Sequence, residues 1–130
     1  QTYYIVIEHR NHLIVMSHTA LPVVNGKITY DFRNKESYID DFIGIGYVGQ
    51  KQVQTGVYAM FAGNGDQSSG GVLGNDLTDI NAADRGKWLS NNPRFSIYSI
   101  LDYNMDGDVS ALEYELWLRN TPKITSVPRR

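Results

Sequence analysis

The chain has 130 residues, 42% of them hydrophobic, which is enough for one small domain with a real core, or for a small domain with an appended module. A formal net charge of −2, with no basic stripe interleaved with aromatics, gives no general attraction to nucleic acid. The absence of cysteine excludes disulfides and zinc–thiolate sites, and no apolar run is long enough to cross a bilayer.

The opening Gln1-Thr2-Tyr3-Tyr4 is not a signal peptide and leads directly into a strand-like run, as expected of a mature secreted chain or the tail of a longer one. Tyr3-Tyr4-Ile5-Val6-Ile7 is β-branched and aromatic and predicts a largely buried strand. Glu8 to His12 interrupts it, and Leu13-Ile14-Val15-Met16 resumes the apolar character. Asn25-Gly26 is a strong turn signal. Lys27-Ile28-Thr29-Tyr30-Asp31-Phe32 alternates as a half-buried strand should, residues 44–49 read as glycine-rich loop, and residues 53–61 predict a further strand. Gly44-Ile45-Gly46 lacks the rest of a dinucleotide fingerprint. His9, His12 and His18 are the candidates for acid–base or transition-metal chemistry, but residues three apart in a strand face opposite sides, so capping or backbone bonding is the expected role. Glu8, Asp31, Asp40 and Asp41 show no spacing that singles out a pair for glycoside hydrolysis.

The second half carries oxygen ligands. Asn64, Asp66 and Ser68 stand in one-three-five spacing, and a glycine-rich insertion over residues 69–78 separates them from Asp79-Ile80-Asn81-Ala82-Ala83-Asp84. Asn92-Pro93 opens a segment, residues 94–101, that reads as a short helix. It leads into Asp102-Tyr103-Asn104-Met105-Asp106-Gly107-Asp108-Val109-Ser110-Ala111-Leu112-Glu113. Here Asp102, Asn104, Asp106, Ser110 and Glu113 occupy loop positions one, three, five, nine and twelve, Gly107 sits sixth at the sharp turn, and Asp108 offers its carbonyl. A hard cation needs this set because six to eight oxygens must replace its hydration shell. The plainer alternative is an acidic surface turn with Ser110 as an N-cap.

Residues 79–91 and 108–120 repeat in register, pairing Ile80 with Val109, Asn81 with Ser110, Asp84 with Glu113, and Trp88-Leu89 with Trp117-Leu118. Each copy predicts a loop end, a cap at Asn81 or Ser110, and a helix with its Trp-Leu pair on the buried side. Ile80 and Val109 are expected to pair as a short antiparallel bridge. A weaker first site would use Asn64, Asp66, Ser68, Asp84 and the Asp79 carbonyl, fewer carboxylates meaning less attraction. Its alternative is a glycine-rich loop without a metal. The tail, residues 121–130, reads as an extended arm.

A calcium loop followed directly by a helix, present twice, resembles the dockerin type-I module more than a two-helix sensor EF-hand, and no Met-rich groove is evident. The chain also resembles, over nearly its full length, a module at the C-terminal side of large secreted proteins of Bacteroidota. The motifs that carry this are His9-Arg10-Asn11-His12-Leu13, Thr29-Tyr30-Asp31-Phe32, and the stretch from Thr55-Gly56-Val57 to Ala62-Gly63. The chain departs from that pattern in its first loop, where Asn64 and Ser68 replace aspartates and an insertion follows. The resemblance implies a secreted or cell-surface location, often with type 9 secretion, and a partner such as an outer-membrane or secretion complex. The expectation is an α+β chain: a small antiparallel sheet or sandwich (residues 1–61), a dockerin-like pair of calcium loop–helix units (62–120) and a tail (121–130). Two Ca2+ ions are expected, the second-loop ion more firmly, in a non-enzymatic docking role. The alternatives are a carbohydrate-binding module using sheet tyrosines on a polysaccharide, and a hydrolase using His9 or His12.

Overall fold

The computed structural model describes residues 1–40, 47–66 and 79–128. Asp41, Gly44-Ile45-Gly46, Ser68 and the insertion over 69–78 lie outside the described residues. The chain is mixed α+β, with short strands, mostly in antiparallel pairs, followed by two helices.

The first strand run divides. β1 (Thr2–Tyr3) pairs with β4 (Leu21–Pro22), and β2 (Val6–His9) forms a hairpin with β3 (His12–Met16). Burial is carried by β3, where Leu13 and Val15 are fully enclosed, while Tyr3, Tyr4 and Ile7 are exposed. The apolar run at the N-terminus is therefore not the buried strand; the continuous apolar run after the turn is. Asn25-Gly26 turns as expected, with φ of +51° and +73° between the bridged Val24 and Lys27. Residues 27–32 do not form the expected strand beyond that bridge. The Asp31 carboxylate accepts from the Arg33 backbone N–H at 3.0 Å and from its guanidinium at 2.9 Å, bending the chain into a turn. That pairing holds the Asp31 carboxyl down at about 2. The strand expected over 53–61 is instead a hairpin of β6 (Lys51–Gln54) and β7 (Val57–Ala59), because Gly56 takes φ +70°.

Both helices form where the repeat places them, α1 over Ala82–Leu89 and α2 over Ala111–Asn120. Each starts in a capping box: Asn81 with Asp84, and Ser110 with Glu113. The tryptophans explain the repeated Trp. Trp88 Nε1 donates to the Ser110 carbonyl at 2.8 Å, and Trp117 Nε1 to the Asn81 carbonyl at 2.7 Å, so each helix anchors the cap of the other. Tyr114 stacks between the two indoles. The leucines behave otherwise: Leu89 and Leu118 are 58% and 55% exposed, because a residue adjacent to an inward tryptophan turns by about 100° around the helix.

Residues 94–101 are not a helix. Arg94 bridges Val109 instead, and Ile97 N–H donates to the Gly107 carbonyl, so the segment lies along the second loop. Ile80 and Val109 are consequently not bridge partners: Val109 is taken by Arg94, and the Ile80 N–H donates to Lys123. Both side chains are nevertheless fully buried in one core with Leu13, Phe61, Leu101, Tyr103 and Trp117. Enclosing each aliphatic side chain contributes about 1.5–3 kcal/mol. The tail is extended but packed. β8 (Ile124–Thr125) runs parallel to β5 (Tyr47–Val48), and Thr125 Oγ1 donates to the Ile14 carbonyl at 2.7 Å.

Candidate metal centre

The second loop folds its side chains inward by giving them backbone donors. Asp102 Oδ1 accepts from the Asp106 N–H at 3.1 Å and Oδ2 from Gly107 N–H at 3.0 Å. Asn104 Oδ1 also accepts from Asp106 N–H, and Asp106 Oδ1 from Asp108 N–H, both at 2.9 Å. Gly107, at φ +93°, makes the sharp turn, and a Cβ there would meet nothing, so the demand for glycine is conformational. Met105 takes φ +62° two residues earlier. The Asp108 carboxylate turns away to accept from Ser96 N–H at 2.9 Å, which leaves its carbonyl as the group the seventh position has to offer.

Helix α2 brings the twelfth position back over the loop. Glu113 Oε2 accepts from the Ser110 N–H at 2.6 Å and from its hydroxyl at 3.0 Å. Ser110 is thus an N-cap, as the plainer reading of the sequence has it, within a loop that also gathers carboxylates. One oxygen each of Asp102, Asp106 and Glu113 lies within 4.8 Å of the others. Glu113 is fully buried, and its Oε1 has no hydrogen-bond partner. A buried acceptor left unsatisfied costs about 1–3 kcal/mol, and more when charged, unless a cation answers it. The donors are all hard oxygens, a set that suits Ca2+ or Mg2+ and not a thiophilic metal.

The first loop has the same plan with fewer charges. Asp84, the counterpart of Glu113, is fully buried; its Oδ2 accepts from Asn81 N–H at 2.6 Å and its Oδ1 from Asp66 N–H at 3.0 Å. Burial, and secondarily the Asp66 carboxyl beside it, push the Asp84 carboxyl up to about 7. Asn64 is fully enclosed, and neither amide atom has a hydrogen-bond partner. Asp79 is held by a bridge to Ile124. The fold therefore brings Asp66 to Asp84 with Asn64 two residues upstream.

Three residues at this centre have no signal in the ligand spacing. Tyr103 is buried between the loops, and burial, then the charges of Asp84, Asp66 and Glu113, raise its hydroxyl pKa. Asn11 is fully buried and touches both loops. Arg10 places Nη2 3.9 Å from Asp102 Oδ2 and lies 4.1 Å over the Tyr98 ring.

The histidines are arranged differently from the sequence expectation. His9 and His12 do not face opposite sides of one strand; the chain reverses between them, making them cross-strand partners with rings 4.4 Å apart, edge to face. Burial, then His9 and Arg10, lower His12 to about 4, so it is neutral at physiological pH. His18 is at the surface, 3.8 Å from Glu36. Asp102, Asp106 and Glu113 are the metal-capable trio among the described residues. Among the described residues no helix is long and apolar enough to cross a membrane. No family model, curated protein or solved structure matches the chain.

Proposed function

We propose that this chain is a calcium-stabilised, non-enzymatic docking module of a secreted bacterial surface protein. The observation that carries the reading is the wholly buried Glu113, which has an unpartnered Oε1 and brings one carboxylate oxygen within 4.8 Å of those of Asp102 and Asp106. Calcium bound there would neutralise carboxylates that otherwise repel one another, and it stabilises the fold by mass action. The likeness to dockerin type-I units and to the Bacteroidota C-terminal module supports a dockerin-like pair behind a small sheet or sandwich, with an outer-membrane or secretion-associated protein as partner. Leu89 and Leu118, exposed at matching positions of the two repeats, are apolar groups that such a partner can cover.

Thermal unfolding in excess Ca2+, in excess Mg2+ and in chelator, with calorimetric counting of bound ions, tests the reading. A calcium-specific rise with two ions bound is the expected result. A single ion would restrict the reading to the second loop, and the same midpoint in all three conditions would remove it.

A further inference from the structure

The strand half and the loop half meet at one side chain. Asn11, in the turn between β2 and β3, is fully buried. Its amide Nδ2 donates to the Asp102 carbonyl at 2.7 Å, at the first position of the second loop. Its backbone carbonyl accepts from both Gly63 N–H and Asn64 N–H, each at 3.1 Å, at the first position of the first loop. The first ligand residues of the two loops, far apart in sequence, thus hang on the same residue of a hairpin that contributes no ligand itself.

We infer that Asn11 is a positioning residue that couples the two ion loops, so that filling one raises the affinity of the other. The inference rests on the proposed calcium sites. Its physical basis is a difference between the two ends of each loop. The helix ends are fixed by closed capping boxes and by the reciprocal tryptophan bonds. At the other end of each loop the first ligand positions share Asn11, whose amide holds the Asp102 carbonyl and whose carbonyl holds the Asn64 N–H, and they are what an ion must draw in. An ion in the second loop fixes Asp102, hence Asn11, hence the carbonyl that holds Gly63 and Asn64. The second ion then orders less backbone, which is positive cooperativity. A fixed Asn11 also supplies a reason for Asn64 to be buried with its amide unpartnered: it is held in place ahead of a ligand.

Calcium titrations of the full chain, followed by calorimetry, measure the coupling. In Glu113→Gln, which disables the second loop, calcium affinity at the first loop should fall about tenfold relative to the native chain. In an Asn11→Ser background, the same Glu113→Gln change should alter it by less than about twofold, because the connection is already cut. An equal loss in both backgrounds, or none in the native one, overturns the inference. Absence of calcium uptake by the native chain would instead strike the proposed function, so the two failures are distinguishable. If Asn11→Ser does not fold, amide exchange decides in a chain with the first loop disabled by Asp66→Ala. Loading the second loop should slow exchange at Gly63 and Asn64, and unchanged rates there overturn the inference.

Discussion

The two loops of this chain share a plan and differ in charge. In the second, three carboxylates gather around one point, and backbone N–H groups hold Asp102 and Asp106 in place. In the first, the described side-chain candidates are Asn64, Asp66 and Asp84, and burial has pushed Asp84 towards protonation at about 7. A neutral amide at the first position and a carboxylic acid at the last leave little charge to hold a divalent ion. The pair teaches that geometry and electrostatics are separable. A capping box with a 2.6 Å bond closes each helix, so the shape of the loop end is retained while its charge differs.

Removing charge from each loop is the sharpest way to break that comparison. Asp106→Ala should lower the calcium-saturated midpoint by about 10 °C, the loss of roughly 2.7 kcal/mol of binding linkage at a hundredfold excess over Kd. Asp66→Ala should lower it by less than half as much, since the first loop starts with less charge. Differential scanning calorimetry in calcium compares them directly, and equal losses would erase the asymmetry.

A second prediction attacks what the loops share. Tyr103 of the second loop packs on Gly65 of the first, where a Cβ would collide with the tyrosine hydroxyl and come within 2.7 Å of Leu101 Cδ2. Gly65→Ala should therefore cost about 1–3 kcal/mol by overpacking. It should do so in chelator as well as in calcium, unlike Asp106→Ala, whose effect belongs to the ion. Denaturant unfolding in both conditions separates the two, and a loss confined to calcium would show that the contact matters only to the loaded state.

Much of the second loop was legible because calcium loops are specified locally: ligand spacing, the glycine turn and the helix cap all lie within twelve consecutive residues. The repeat likewise placed both helices and their caps. What failed was non-local. Exposure of Leu89 and Leu118 follows from the tryptophans reaching across to the opposite caps, and the strand character of Arg94 follows from Val109 beside it. Residues 27–32 alternate like a strand, yet Asp31 finds its partner two residues on, and Gly56 splits a run whose composition looked continuous. Asn11 could not be found from spacing, since its role depends on two segments that meet only in the folded chain.

Asp84 and His12 titrate with opposite effects on stability. In chelator, Asp84 has a folded pKa of about 7 against an unfolded value of 3.8. The folded state binds more protons between these values, so its contribution to stability is complete below pH 3.8 and is lost as pH rises through 7. His12 has a folded value of about 4 against 6.5. The unfolded state binds more protons in that window, so the His12 contribution is complete above 6.5 and is lost as pH falls through 4. The two nearly cancel between pH 4 and 6.5, and the wild-type profile in chelator should be flat there and fall towards neutrality. His12→Gln removes one side of the balance, and its stability should decline with rising pH across the whole range from 4 to 7. Bound calcium would favour ionised Asp84 and abolish that decline, because the ion prefers the carboxylate. Urea unfolding of both chains at four or five pH values, with and without calcium, measures all of these slopes. A decline that persisted in saturating calcium would mean that Asp84 keeps its proton, and that the first loop retains the shape of an ion site without the charge to use it.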